Sequence, residues 1–113
     1  MLKIYHNPRC SKSRQGLAIL EEAKVPFEII KYLDQPPTIE ELTKLIKTLD
    51  ISPIQLIRKG EAVWKENYKG KTLTETQIIE AMSTHPKLIE RPIVIDGNKA
   101  VIGRPPVLIK DLL

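Results

Sequence analysis

The first 32 residues constrain the fold more than any other stretch of this chain. A short apolar strand runs from Leu2 to His6. Asn7-Pro8 stops it, because proline cannot donate to a strand ladder. A helix follows from about Ser11, with Leu17, Leu20 and Ala23 at helical spacing, and Pro26 ends the segment. Phe27 to Tyr32 then reads as a second strand. Strand, helix, strand in so short a span predicts a parallel pair joined by a right-handed crossover.

The rest of the chain has to build on that pair. Thr38 and Glu41 form a capping box, and Leu42, Leu45, Ile46 and Leu49 make the apolar stripe behind it. Ser52-Pro53 opens a helix that must be short, because Gly60 follows soon after. Thr74 and Gln77 form another box, and His85-Pro86 stops the helix they start. Trp64 and Tyr68 are expected to pack among these helices. Ile93-Val94-Ile95 and Ala100-Val101-Ile102 read as a hairpin around Asp96-Gly97-Asn98-Lys99, where Gly97 and Asn98 tolerate the positive φ of a tight turn. Gly103 to Leu113 reads as a closing helix with Pro105 and Pro106 near its first turn. The order predicts an α/β, thioredoxin-like plan. A central mixed sheet of about four strands takes a helical insert, about residues 38–86, between its two halves. One domain spanning residues 1–113 is expected.

Composition narrows the function classes. With 42% hydrophobic and 28% charged residues the chain is not disordered by composition. No apolar run approaches the roughly 18 residues of a membrane helix. The opening MLKIYHNPRC has no apolar signal core, so a cytoplasmic location is the expectation. The net charge of +4 is unevenly spread: residues 1–20 carry Lys3, Arg9, Lys12 and Arg14 and no acid. Such a segment is a solvated basic face, an anion site or a nucleic-acid patch. With only 4% aromatic residues to interleave, nucleic acid is not the expected partner.

The chain has one cysteine, Cys10. It cannot form an intramolecular disulfide, and with only His6 and His85 as further soft ligands no metal site is expected. Cys10 is therefore a structural cysteine, a nucleophile, or a thiol that pairs with another molecule. Its polar neighbours, Asn-Pro-Arg before and Ser-Lys-Ser-Arg after, belong on a surface and favour a reactive thiol. The positive end of the following helix, with Arg9, Lys12 and Arg14, favours the thiolate. The hydroxyls of Ser11 and Ser13 are candidate donors to the sulfur or to a bound anion. Lowering a thiol pKa from about 8.5 to about 6.5 raises the thiolate fraction about 25-fold at pH 7. Intrinsic nucleophilicity falls roughly 8-fold, so the net gain is about threefold. Holding an anion against the sulfur matters more, because positioning lowers a barrier by about 7–11 kcal/mol at best.

That turns attention to distant arginines. Arg58 ends the short helix opened by Ser52-Pro53, Arg91 precedes Pro92 at the mouth of the hairpin, and Arg104 follows Gly103 at its end. An arginine fork suits tetrahedral oxyanions. Arg9 and Arg14 qualify equally by composition, and spacing does not show that Arg58, Arg91 and Arg104 converge.

The string Tyr5-His6-Asn7-Pro8-Arg9-Cys10-Ser11-Lys12-Ser13-Arg14 resembles the active-site segment of the glutaredoxin-coupled arsenate reductases. So do Leu56-Ile57-Arg58-Lys59, Glu90-Arg91-Pro92-Ile93-Val94-Ile95 and Gly103-Arg104-Pro105-Pro106. The resemblance runs in order along nearly the whole chain. It implies a thioredoxin-like fold with a helical insert and a Cys10 that attacks arsenate to form a thiol-arsenate adduct. It implies oxyanion binding by Arg58, Arg91 and Arg104, a cis-proline at Pro92 and a histidine, His6, near the thiol. Asn7, Ser13 and Arg14 fall within the matching loop. The implied reaction reduces arsenate to arsenite, with glutathione attacking the adduct and glutaredoxin resolving it. No bound cofactor is implied. Reducing thiols from outside suit a chain with a single cysteine, and an arsenate reductase of the low-molecular-weight-phosphatase type, which cycles an internal disulfide, does not.

One departure stands out: Ser11-Lys12 occupies the place of Gly-Thr in the well-studied arsenic enzymes. Lys12 adds charge beside the anion. Two other readings stay open. The same fold family includes regulators that bind RNA polymerase and sense oxidation through Cys-x-x-Cys. Ser13 removes that disulfide here but leaves a non-redox interaction possible. A general glutathione-dependent oxidoreductase acting on protein disulfides would also use Cys10, but it leaves three matched arginines without a task.

Overall fold

A computed structural model describes residues 2–113 and divides the chain into two compact units. The first runs to Gln35 and resumes at Arg91; the second is Pro36–Glu90.

The first unit is built on four strands and two helical elements. β1 is Leu2–Tyr5, α1 is Ser11–Ala23, β2 is Phe27–Ile30, β3 is Ile93–Asp96 and β4 is Lys99–Ile102, followed by a 3-10 helix, Pro106–Leu112. The sheet order is β2-β1-β3-β4. β1 pairs in parallel with β2, Ile4 opposite Ile29, while β3 is antiparallel to both β1 and β4. This is the mixed, thioredoxin-like sheet that the element order predicts. Alternation along β1 turns Leu2 and Ile4 inward. They pack with Leu20 of α1, Val94 of β3 and Ile109 of the 3-10 helix. The hairpin turn uses Gly97 at φ 61, but Asn98 does not take the positive φ its residue type allows, which is the pattern of a turn with glycine at its first central position.

Two sequence expectations for this unit need correction. The strands are shorter than their apolar runs: His6 and Tyr32 lie beyond β1 and β2, although the His6 N–H still reaches the Ile30 carbonyl at 3.0 Å. The inward face of α1 is Ser13, Gly16 and Leu20; Leu17 is half-buried and Ala23 is exposed. The expected closing helix is a 3-10 helix, with Pro106 at its first position and no side-chain cap. Helix α1 also stops ahead of Pro26, on Lys24 in the left-handed region at φ 56.

Gly16 explains the α1 face. A Cβ there would stand 2.8 Å from both Pro92 Cγ and Ile109 Cδ1. Gly103, after β4, is as tight, with Pro92 Cγ and Ile109 Cδ1 each 2.9 Å away. The Pro92 ring and Ile109 thus fill the space that two side chains would otherwise take, and both are fully buried. The Arg91–Pro92 and Arg104–Pro105 peptide bonds are cis.

The second unit holds α2 (Ile39–Leu49), a 3-10 turn (Pro53–Leu56), α3 (Ala62–Asn67), α4 (Glu75–Thr84) and a second 3-10 turn (Pro86–Leu88). Both predicted capping boxes form. Thr38 Oγ1 accepts the Glu41 N–H at 3.1 Å, and Thr74 Oγ1 accepts the Gln77 N–H at 3.2 Å. Leu42, Leu45 and Ile46 are buried as the α2 stripe predicts, while Leu49 is half-buried. Trp64 is buried and stacks on half-buried Tyr68 at 5.4 Å. Helix α3 had no sequence expectation of its own. Among the described residues no helix is long and apolar enough to cross a membrane.

Gly16→Ala is expected to destabilise the protein by about 1–3 kcal/mol, the cost of overpacking against a rigid proline ring. A lowered denaturation midpoint with unchanged m-value would show it. An unchanged midpoint would mean that Pro92 and Ile109 give way freely.

Candidate active site

Cys10 occupies the N-cap position of α1, with extended backbone at φ −97 and ψ 122. The loop before it is tied to itself. The Asn7 carbonyl accepts the Cys10 N–H at 3.0 Å, and Asn7 Oδ1 accepts the Arg9 N–H at 3.0 Å. Arg14 Nη1 donates to the Pro8 carbonyl at 2.9 Å. Pro8 has no N–H to satisfy, so the turn closes with few donors in need of partners.

Cys10 is half-buried. As a thiol it makes no cap hydrogen bond. As a thiolate it stands where an N-cap acceptor stands, facing the amides of the first helical turn. Burial pushes the Cys10 thiol up. The Ser13 amide, the Arg91 guanidinium and the Lys12 amide together outweigh burial and hold the thiol below its ordinary value.

Ser13 does not use its hydroxyl on the sulfur, contrary to the sequence expectation; its amide does that work. The hydroxyl lies 2.7 Å from His6 Nδ1 and accepts the Asn7 N–H at 2.9 Å. Ser13 is 0% exposed, His6 5% and Asn7 7%, so these bonds are shielded from solvent. Ser11, the other expected donor, is exposed at the helix start. Burial lowers the His6 pKa. A hydrogen bond with the Ser13 backbone opposes this, while Lys31 and Arg14 add to it. Lys31 near His6 carries no sequence signal, because it follows β2 and is distant in the chain.

Arg91 is half-buried and its side chain sits by the Cys10 sulfur. Arg104 is exposed and its Nη1 donates to the Arg91 carbonyl at 2.9 Å. Cys10, His6, Asn7, Ser13, Arg14, Arg91, Pro92 and Arg104 thus belong to one unit. Arg58 belongs to the other. There its N–H donates to the Leu88 carbonyl at 2.7 Å, beside a short antiparallel bridge between Ile57 and Ile89. Its Nη1 donates to Glu90 Oε1 at 3.2 Å, and its Nε lies 3.6 Å from Glu61 Oε1. Gly16 and Gly103 were not singled out as supports from sequence. A glycine inside a good helical pattern, as at Gly16, is the signal that marks such a close approach. No group of three or more His, Cys, Asp or Glu side chains suited to a metal occurs among the described residues.

The chemistry available is that of a thiolate with a guanidinium at its side. Arg91→Ala is expected to raise the pH at which Cys10 becomes reactive, read from the pH profile of iodoacetamide alkylation. His6 gives a second expectation. The unfolded imidazole titrates near 6.5 and the folded one lower. The unfolded chain therefore binds more protons between the two values, and stability rises with pH there. The His6 contribution is complete well above pH 6.5 and is lost as the pH falls through the folded value. His6→Gln should flatten the fall of denaturation midpoint below pH 6.5. An equally steep fall in that variant would assign it to other groups.

The ArsC family profile matches residues 5–112. YfgD of Escherichia coli (strain K12), described as uncharacterized, is 45% identical over 99% of this chain and 96% of its own. An arsenate reductase of Haemophilus influenzae is 42% identical over 97% of each chain. The solved structure of an arsenate reductase from Vibrio cholerae superposes with a TM-score of 0.94 at 42% identity, covering 99% of this chain and 97% of that one. By profile, sequence and fold, this chain belongs to the ArsC family.

Proposed function

We propose that this protein is an arsenate reductase-like oxidoreductase that uses Cys10 as its nucleophile, with glutathione and glutaredoxin as reductants. The observation that carries the reading is the Cys10 thiol at the head of α1 with Arg91 beside it. Family relatives named arsenate reductase supply the substrate.

In this scheme the Cys10 thiolate attacks arsenic. An S–As bond forms, an As–O bond breaks, and the oxygen leaves as water after protonation. Arsenic is still pentavalent at this point. Its reduction takes two electrons from two thiols, glutathione's and glutaredoxin's, which leave joined as a disulfide. Water then displaces the Cys10 sulfur from the trivalent arsenic, which breaks the S–As bond, releases arsenite and regenerates the Cys10 thiol. A chain with one cysteine has to import both thiols. That requirement assigns the activity to a reducing compartment, the cytoplasm. Arg91 and Arg104 stabilise the oxyanion, and Arg58 contributes to its binding. Pro92 fixes the backbone beside Arg91, while His6, Asn7, Ser13 and Arg14 hold the thiol loop.

The test is arsenate-dependent NADPH oxidation with glutathione, glutaredoxin and glutathione reductase present. Wild type is expected to turn over and Cys10→Ser to be inactive. Arg91→Ala should lose roughly 100- to 1,000-fold in kcat/KM, the scale of removing one positioned donor. Arg58→Ala and Arg104→Ala should mainly raise the KM for arsenate. Turnover that survives in Cys10→Ser would overturn the nucleophile. A silent wild type whose Cys10 still alkylates as a low-pKa thiolate would overturn arsenate as substrate and turn the search to glutathionylated proteins and RNA polymerase.

A further inference from the structure

We propose that Ser13 is a positioning residue that fixes His6 as the Nε2–H tautomer through its hydroxyl and, by the same anchoring, holds its own amide toward the Cys10 sulfur. The inference rests on the reading of Cys10 as the reacting thiol. It does not depend on arsenate as substrate.

The argument begins with the proton count on the Ser13 hydroxyl. The Asn7 N–H can only donate, so at 2.9 Å the Ser13 oxygen is its acceptor. The hydroxyl has one proton left to give, and His6 Nδ1 stands 2.7 Å away. An imidazole that accepts at Nδ1 while neutral carries its proton on Nε2. The opposite arrangement is poorer. With a proton on Nδ1, two N–H groups would point at the Ser13 oxygen, and its own hydroxyl proton would need another acceptor in a fully buried position.

The cations around the ring act in the same sense. Lys31, after β2, and Arg14, on α1, both disfavour a second proton on His6. Burial is the larger cause, and together with these cations it favours the neutral ring against a hydrogen bond with the Ser13 backbone. Among side chains, Arg91 is the cation that lowers the Cys10 pKa.

The same hydroxyl anchors the first turn of α1. It ties Ser13 to Asn7 and His6, and Asn7 in turn receives the Cys10 N–H on its carbonyl. The residues on either side of the sulfur are thus fixed by one side chain. Removing the hydroxyl leaves the Asn7 N–H and His6 Nδ1 without their partner and frees the Ser13 amide to drift from the sulfur.

The first measurement is on the unaltered protein: nitrogen-15 NMR of the His6 ring above its titration. A pure Nε2–H signature is expected. A dominant Nδ1–H signature, or the averaged signature of exchanging tautomers, overturns the proposal. The second is a double-mutant cycle on the pH midpoint of Cys10 alkylation, using folded Ser13→Ala, His6→Ala and the double variant. Ser13→Ala is expected to raise the midpoint by ~0.5–1 pH unit. The double variant should shift it by clearly less than the sum of the single shifts, because the two groups act as one unit. Additive shifts, or an unmoved midpoint in Ser13→Ala, overturn it. Neither readout involves arsenate, so failure of this inference and failure of the proposed activity are separate results.

Discussion

The site stands on the packing of the Pro92 ring. Gly16 and Gly103 approach it so closely that a methyl group at either Cα would lie within 2.9 Å of its Cγ. Ile109 fills the rest of the gap, so α1, the end of β4 and the C-terminal 3-10 helix all meet around one rigid ring. Arg91 is the residue bonded to Pro92, and its guanidinium faces Cys10. The place of the cation relative to the sulfur is therefore inherited from apolar packing. Charge–charge energy varies with distance, so any repacking around Pro92 is transmitted to the thiol. The electrostatics of Cys10 are in this sense a property of the core.

Periodicity read the fold wherever burial is apolar. The stripe of α2 and the inward residues of β1 and β3 are aliphatic, so sequence spacing maps directly onto structure. It misread α1 because two of the three inward positions are Ser13 and Gly16. One is buried for its hydrogen bonds and the other for lack of a side chain, and a hydrophobic pattern sees neither. Helix α3 escaped because it is only six residues long and buries Trp64 alone, too little for a periodic apolar stripe. The 3-10 character of the last helix depends on how it docks, which propensity does not record. At the site, Cys10 stood out because its neighbours are polar, and Arg91 because of its place before Pro92. The destination of the Ser13 hydroxyl was not legible. It is set by His6 at the end of the preceding strand and by how the strand-to-helix turn closes.

The turn from β1 to α1 shows how a cysteine can be both surface-reactive and firmly held. Its backbone is fixed by buried polar groups, Ser13, His6 and Asn7, while Cys10 itself is only half-buried. Buried polar groups cost stability unless each finds a partner. Here the Ser13 oxygen serves two of them at once. Such a network specifies one loop geometry, because any other arrangement leaves a donor or acceptor unmatched. The helix amides then act on a sulfur that is already in place. Preorganisation of this kind matters more than the depressed pKa, whose net kinetic gain is only about threefold.

The proposed reaction faces a physical obstacle that gives the arginines their first task. A thiolate beside an oxyanion is a like-charge pair, repelling by about 4 kcal/mol at 4 Å in a surface-like dielectric. Guanidinium groups have to offset that before any transition state is stabilised. They differ in what they give up to do so. Arg14 and Arg104 now donate to neutral carbonyls, those of Pro8 and Arg91. A bond to an anion is roughly twice as strong as one to a neutral carbonyl, so exchange of carbonyl for oxyanion is favourable. Both side chains are exposed, and water can replace them at the carbonyl they leave. Arg58 donates to the Glu90 carboxylate and lies near Glu61, so for it the exchange is anion for anion with little gain. Arg91 already serves the thiolate. In the proposed reaction Arg91 therefore comes first in offsetting the repulsion, because its guanidinium already stands beside the thiolate.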